Sequence, residues 1–246
     1  MNRKYLGTLT LAGLLMISAR PAAAGNVVSH GGPVIFSPKV VLIFWGPGFN
    51  NAASPDYTYA RTLEAFRNQF GSSAEYAVLK EYGVNAASLG SGTADWFDTS
   101  TPPINVTDST VHAEVSRYFA GHGAYNSSTL YVVVIPSTSY SSSGSSTSCG
   151  GPGLAYCAYN GSYSGAGGAV LYVILPYASC SGCKVSGFTD VQNAELHLGH
   201  EICAALTSGW YDSSGLGVAD KCSMTYISGG YAYQYIWSNK ARMCVQ

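Results

Sequence analysis

Charge is scarce in this chain. Of its 246 residues only 10% are Asp, Glu, Lys or Arg, and the formal net charge is −1. No basic run follows the first few residues. Non-specific nucleic-acid binding rests on neutralising several phosphates at once, so no nucleic-acid partner is expected. Long apolar runs are missing too. A membrane-crossing helix needs about 20 apolar residues, whereas the stretch from Leu6 to Ile17 is shorter and carries Thr8 and Thr10. The later runs Val40–Trp45 and Ala169–Pro176 read as buried strands, so no membrane span is expected in the mature chain. Gly-x-Ser-x-Gly, the phosphate-binding Gly-rich loop and Gly-x-Gly-x-x-Gly are all absent. Those absences remove the serine-hydrolase elbow, the P-loop and the dinucleotide fold from consideration.

What is present points to export. Arg3 and Lys4 precede the apolar run, and Pro21-Ala22-Ala23-Ala24 offers a small-residue cleavage site. This is the layout of a cleavable secretory signal over residues 1–24, which places the mature protein, 25–246, outside the cell or in a periplasm. Seven cysteines, Cys149, Cys157, Cys180, Cys183, Cys203, Cys222 and Cys244, suit that setting, where disulfides are the default. Local spacing favours Cys149–Cys157, Cys180–Cys183 and Cys222–Cys244, leaving Cys203 as a small buried thiol. Ser181-Gly182 reads as a turn and not a helix start, which argues against a redox-active Cys-x-x-Cys. Nineteen tyrosines with many Gly and Ser suggest a surface wetted by hydroxyls and amides, as in extracellular proteins.

Periodicity supplies the elements. Lys39–Trp45 is a continuous β-branched and aromatic run, stopped by Gly46-Pro47-Gly48, and suits a strand covered on both faces. Tyr59, Leu63, Phe66 and Phe70 recur at helical steps, and a shorter helix is expected near Ser73–Tyr82. Residues 84–107 read as turns. Asp108-Ser109-Thr110 opens another helix, which ends near Gly121. Leu130–Pro136 and Gly168–Pro176 are further strands. The Ser/Thr/Gly stretch 137–148 reads as an exposed loop. The order predicts an α+β domain with a mixed sheet packed on one long helix, followed by a small disulfide-tied carboxyl-terminal lobe over about 207–246.

That helix starts at Thr189 and carries Val191, Ala194, Leu198, Ile202 and Ala205 as an apolar stripe. His197, His200 and Glu201 occupy another side. A metallopeptidase helix reads His-Glu-x-x-His: two imidazoles one turn apart grip zinc, and the Glu activates its water. Here His200-Glu201 is followed by Ile202-Cys203-Ala204, so the second ligand is missing. His197, one turn before His200, is a candidate replacement, as are the loop carboxylates Asp212 and Asp220. Glu201 is the candidate general base.

Several separate stretches resemble a family of secreted zincin-like proteins related to the plant EXORDIUM or phosphate-induced proteins. They are Gly199-His200-Glu201 through Thr207-Ser208, Gly209-Trp210-Tyr211-Asp212, Leu216-Gly217-Val218-Ala219-Asp220-Lys221-Cys222, and Trp237-Ser238-Asn239 before Cys244. Gly31-Gly32-Pro33-Val34 and Val41-Leu42-Ile43-Phe44-Trp45-Gly46 resemble the family's first segment. The resemblance implies a zincin-like fold and a His/Glu/Glu metal set. It also exposes departures: Ala204 and Gly217 stand where the family has Glu, and Ser208 where it has Asp. Zinc is the cofactor implied. The lost carboxylates favour a non-catalytic, zincin-fold binding protein for a peptide, glycan or cell-envelope component. The retained His200-Glu201 pair keeps open an active zinc metallopeptidase with an atypical ligand set.

Overall fold

Seven consecutive residues, Lys39–Trp45, form a strand (β2) in which every side chain after Lys39 is buried. Burial on both faces requires cover on both, and the two faces belong to two separate cores. Val40, Leu42 and Phe44 pack with Leu63, Phe66 and Phe70 of one helix and Leu198 and Ile202 of another. Val41, Ile43 and Trp45 pack with Val111, Val115 and Tyr118 of a third helix on the opposite side. Each fully buried side chain of this size contributes about 1.5–3 kcal/mol, so this strand is a main anchor of the fold.

The computed structural model describes residues 25–31, 34–85, 88–90, 94–165 and 167–246. The expected signal, residues 1–24, lies outside them, as do Gly32 and Pro33. In chain order the elements are β1 (Val28–Ser29), β2, α1 (Pro55–Phe70), α2 (Ala74–Ala77), β3 (Trp96–Asp98), β4 (Asn105–Thr107) and α3 (Asp108–Gly121). Then come β5 (Thr129–Val134), β6 (Tyr140–Ser143), β7 (Ser146–Thr147), β8 (Tyr159–Gly165), β9 (Gly168–Leu175) and α4 (Asp190–Leu206). The chain closes with β10 (Trp210–Tyr211), β11 (Thr225–Ser228), β12 (Tyr231–Gln234), β13 (Ile236–Ser238) and β14 (Met243–Val245). The fold is α+β.

The main sheet runs β3-β2-β5-β9-β8. Its first four strands are parallel, and β8 returns antiparallel along the edge. Helices start where the chemistry says they should. Ser54 accepts from the Asp56 amide, Ser73 from Tyr76 and Thr107 from Thr110, each satisfying an amide with no partner inside its helix. Thr189 and Gln192 close a reciprocal capping box on α4.

Three expectations need correction. Residues 84–107 contain strands β3 and β4 as well as turns. The Ser-rich stretch 137–148 is no featureless exposed loop: β6 pairs with β4 and β7, and Ser141, Ser142, Thr147 and Ser148 are buried. Hydroxyls make this feasible because those of Ser141, Thr147 and Ser148 find partners. The Ser148 hydroxyl accepts from the Ser141 amide at 2.9 Å, and the Ser141 hydroxyl pairs with the Tyr156 phenol at 3.0 Å. Third, the disulfides cross. Cys149 joins Cys180 and Cys157 joins Cys183, with Cα separations of 5.6 and 5.5 Å, while Cys222–Cys244 pairs as expected. Ser181–Cys183 forms a 3-10 turn, the Cys183 amide donating to the Cys180 carbonyl at 3.0 Å. That turn sets both of its cysteines against the 149–157 segment, so each bonds across and not to its neighbour.

Residues after α4 dock on it through β12. One edge of β12 pairs with β11. On the other, the Ala232 amide donates to Glu195 and the Gln234 amide to Glu75, both at 2.9 Å. Two buried carboxyls thus stand in for a neighbouring strand. Asn239 does similar work for the amino-terminal segment: its Oδ1 accepts from the Val27 amide at 3.0 Å and its Nδ2 donates to the Val27 carbonyl at 2.8 Å.

Candidate functional site

Helix α4 buries Ala194, Leu198, Ile202 and Ala205 against the sheet, and this fixes where its polar residues point. Gly199 lets the helix come close: a Cβ there would lie 3.2 Å from the Phe70 ring and 3.3 Å from Glu75 Oε1.

His200 sits at the junction of α4, β12 and the loop before Cys222. Gln234 donates its side-chain amide to the carbonyls of Ala219, at 2.6 Å, and Cys222, at 3.3 Å. Its Oε1 is therefore left to accept from His200 Nδ1, 3.0 Å away. The other ring nitrogen, Nε2, faces Asp220 Oδ1 at 3.3 Å. Burial disfavours the imidazolium, but the Asp220 hydrogen bond, the Glu201 charge and Gln234 outweigh it and lift the ring to about 9. Near neutral pH the pair is an imidazolium–carboxylate contact. Asp220 is held below the usual carboxylate range by His200 and also accepts from the Gly217 amide at 3.1 Å.

Glu201 is buried, and its Oε2 accepts from Asn160 Nδ2 on β8 at 2.8 Å. Burial pushes its carboxyl up, with His200 pulling the other way. Beside these groups lies a pocket of about 180 Å3, whose lining includes Asn160, Ala204, Trp210, Tyr211, Gly217 and Asp220. Ala204 and Gly217 thus border one pocket with Asp220.

The other two candidate ligands are engaged elsewhere. Asp212 accepts from the Ser214 amide (2.9 Å) and hydroxyl (2.6 Å), the Leu216 amide (3.2 Å) and the Lys221 ammonium. Lys221 and Ser214 hold it far below the usual carboxylate range. His197 points away from His200's partners: its Nε2 donates to the Cys183 carbonyl at 2.9 Å, and burial lowers its basicity.

Among the described residues, two groups of three Cys/His side chains stand close enough to share a metal ion. The sulfurs of Cys149, Cys180 and Cys183 lie within 4.8 Å of one another, as do those of Cys157 and Cys183 and a ring nitrogen of His197. Neither group includes His200. A catalytic zinc is held by three protein ligands with an open fourth position. His200 Nε2 and Asp220 Oδ1 are two donors; a methyl group at 204 and a hydrogen at 217 occupy the neighbouring positions. The residues at His200 do not fit a catalytic zinc centre.

Gln234, Asn160 and Glu75 complete the site and carry no sequence signal for this role, Asn160 standing out only as the Asn of an Asn-Gly-Ser glycosylation acceptor. Each is a lone polar residue brought to α4 by tertiary folding. Cys203 is buried beside Glu75, its thiol 3.8 Å from Glu75 Oε1, and burial pushes it well above its ordinary value. No helix among the described residues is long and apolar enough to cross a membrane. Comparison of the chain with family models, curated proteins and solved structures finds no match.

Proposed function

We propose that this is an exported, zincin-like binding protein, related to the secreted family it resembles, whose cleft beside His200 has lost its metal set and receives an extended peptide segment of an envelope or extracellular partner. The observation that carries this reading is the imidazolium–carboxylate contact of His200 with Asp220, 3.3 Å apart, beside Ala204 and Gly217 in one pocket wall. A proton on the raised imidazole competes with a metal for this place, and among the described residues no third His, Cys or carboxylate donor closes on the pair.

The peptide preference rests on β8. It is an edge strand whose partner in the sheet is β9, and its Asn160 reaches Glu201 beside the pocket. An exposed strand edge offers main-chain donors and acceptors to an added strand, with pockets to read alternate side chains.

Metal analysis of the purified chain after equilibration with zinc tests the reading. Sub-stoichiometric metal, unchanged by His200→Ala, is the expected result. Stoichiometric zinc lost on His200→Ala would overturn it and favour the atypical metallopeptidase, with Glu201 as base. The double variant Ala204→Glu/Gly217→Glu should raise zinc affinity at least about tenfold, since it would bring the protein ligands to four. A Cβ at 217 would fall 3.0 Å from Asp220 Oδ2, and Gly217 is not among the residues of positive φ, so the new carboxylate starts beside the existing one. No gain would show that these positions do not face a common centre.

A further inference from the structure

We propose that Cys183, Cys157 and His197, with a sulfur of the Cys149–Cys180 bridge, form a second, redox-controlled site: reduction of the two crossed disulfides converts them into a thiolate–imidazole centre for a soft divalent cation such as zinc.

Cys183 carries the geometry. Its sulfur lies within 4.8 Å of those of Cys149 and Cys180, and within 4.8 Å of the Cys157 sulfur and a His197 ring nitrogen. Two disulfides and an imidazole therefore gather around one atom. In a tetrahedral zinc site with Zn–S of about 2.3 Å, neighbouring sulfurs stand about 3.8 Å apart. Breaking the two S–S bonds lets each bonded pair relax to that spacing around Cys183, whose sulfur is within 4.8 Å of every other donor.

His197 is prepared for ligation. A carbonyl only accepts, so the 2.9 Å contact with Cys183 O places the ring proton on Nε2 and leaves the lone pair on Nδ1. A backbone carbonyl holding one ring N–H while the other nitrogen keeps its lone pair is the support that metal-bound histidines usually have. Ligand type agrees as well: thiolates with imidazole select zinc and similar soft ions over calcium or magnesium.

The scaffold does not depend on the sulfur bonds alone. The Val185 amide donates to Asn193 Oδ1 of α4 at 2.7 Å, tying the segment after Cys183 to the helix that carries His197. The Ala155 amide donates to the Thr147 carbonyl at 2.8 Å, holding the approach to Cys157. Cys157 and Cys180 are half-buried and not sealed, so a thiolate reductant has a sulfur to attack in each bridge.

The chemistry balances. Each disulfide takes two electrons and two protons from one molecule of a dithiol, which becomes a disulfide, so two dithiols yield four thiols. Metal binding then displaces the protons of the thiols that ligate. Oxidation by an external disulfide reverses both steps and expels the ion. The oxidised protein is the metal-free form, and the site is separate from His200.

The test uses the full chain, reduced without oxygen by a phosphine, with Co2+ as probe. One equivalent should produce the intense thiolate-to-cobalt absorption of a tetrahedral site, bleached by one equivalent of Zn2+ and absent from the oxidised protein. His197→Ala should raise the cobalt dissociation constant at least about tenfold and alter the ligand-field bands. His200→Ala should change neither, which separates this site from the cleft. Cys183→Ser, which keeps Cys203, Cys222 and Cys244, should lose the absorption. If that variant fails to fold, His197→Ala in the intact cysteine background decides. Absence of the band from the reduced protein, its persistence in folded Cys183→Ser, or indifference to His197→Ala would overturn the proposal.

Discussion

Replacing Glu75 with glutamine should stabilise this protein at neutral pH, although it removes a buried carboxyl that holds the edge of β12. Glu75 is wholly buried, and burial lifts its carboxyl from 4.5 to about 8 against the pull of the Gln234 amide, His200 and Cys203. The folded state therefore keeps a proton that the unfolded chain gives up above pH 4.5. A folded value raised above the unfolded one stabilises fully below pH 4.5 and is lost as pH climbs through about 8. Each unit of separation corresponds to about 1.4 kcal/mol, so by pH 7 the loss at this site is about 3 kcal/mol. Glutamine has nothing to ionise. Its carbonyl still accepts from the Gln234 amide, and its NH2 faces the Cys203 sulfur, a weak acceptor. Urea unfolding between pH 4.5 and 8 measures the effect. At pH 7 the variant should exceed the wild type by up to about 3 kcal/mol, and the two curves should converge near pH 4.5. Glu195, raised to about 7, and Glu114, raised to about 8, have the same sign and contribute to the slope that remains. A variant less stable than wild type at pH 8, or one with an unchanged pH slope, would refute the burial argument.

Asp220→Asn should lower the titration midpoint of His200 from about 9, read by NMR of the imidazole, because the amide removes the carboxylate facing Nε2 at 3.3 Å. The same substitution should flatten stability above pH 6.5, since a histidine raised in the folded state stabilises below its ordinary value and loses that contribution through about 9. An unmoved midpoint would show that Asp220 is not the partner. Cys222→Ser/Cys244→Ser opens a loop with a sequence separation of 22 and should cost about 3 kcal/mol, seen in denaturant unfolding. A cost near zero would mean that the contacts of Asn239 with Val27 and of β13 with β14 already confine that end of the chain.

Much of the fold was legible because burial leaves a periodic trace. Strands β2, β5 and β9 are covered on both faces and read as unbroken apolar runs. Helices α1, α3 and α4 bury one stripe each and read at helical spacing, and Thr189 caps α4 as expected, whereas α3 is capped by Thr107, one residue before its expected opening. Strand β8 left no such trace. Its Tyr-Asn-Gly-Ser-Tyr-Ser-Gly sequence is half-exposed on an edge, and it is a strand because β9 lies beside it. Strands β6 and β7 are rich in Ser and Thr for a similar reason: the Ser141 and Thr147 hydroxyls find partners in the Tyr156 and Gly153 segments, which no local pattern reveals.

The candidate site divides in the same way. The chain alone marked α4 and the adjacent imidazole and carboxylate at 200 and 201, because a capped amphipathic helix with that pair is a local pattern. The same motif marked Ala204, where a second ligand would stand; Gly217 was pointed to by the family resemblance alone. Which of two nearby aspartates faces the ring was a tertiary matter: Lys221 captures Asp212, and the turn at Gly217 aims Asp220. The same holds for His197, drawn to the Cys183 carbonyl, and for the crossed sulfur bonds, because partners from distant segments meet only when the sheet, α4 and the final hairpins close together. Local sequence sets what each residue is able to do, and packing between segments far apart in the chain selects the neighbour it does it with.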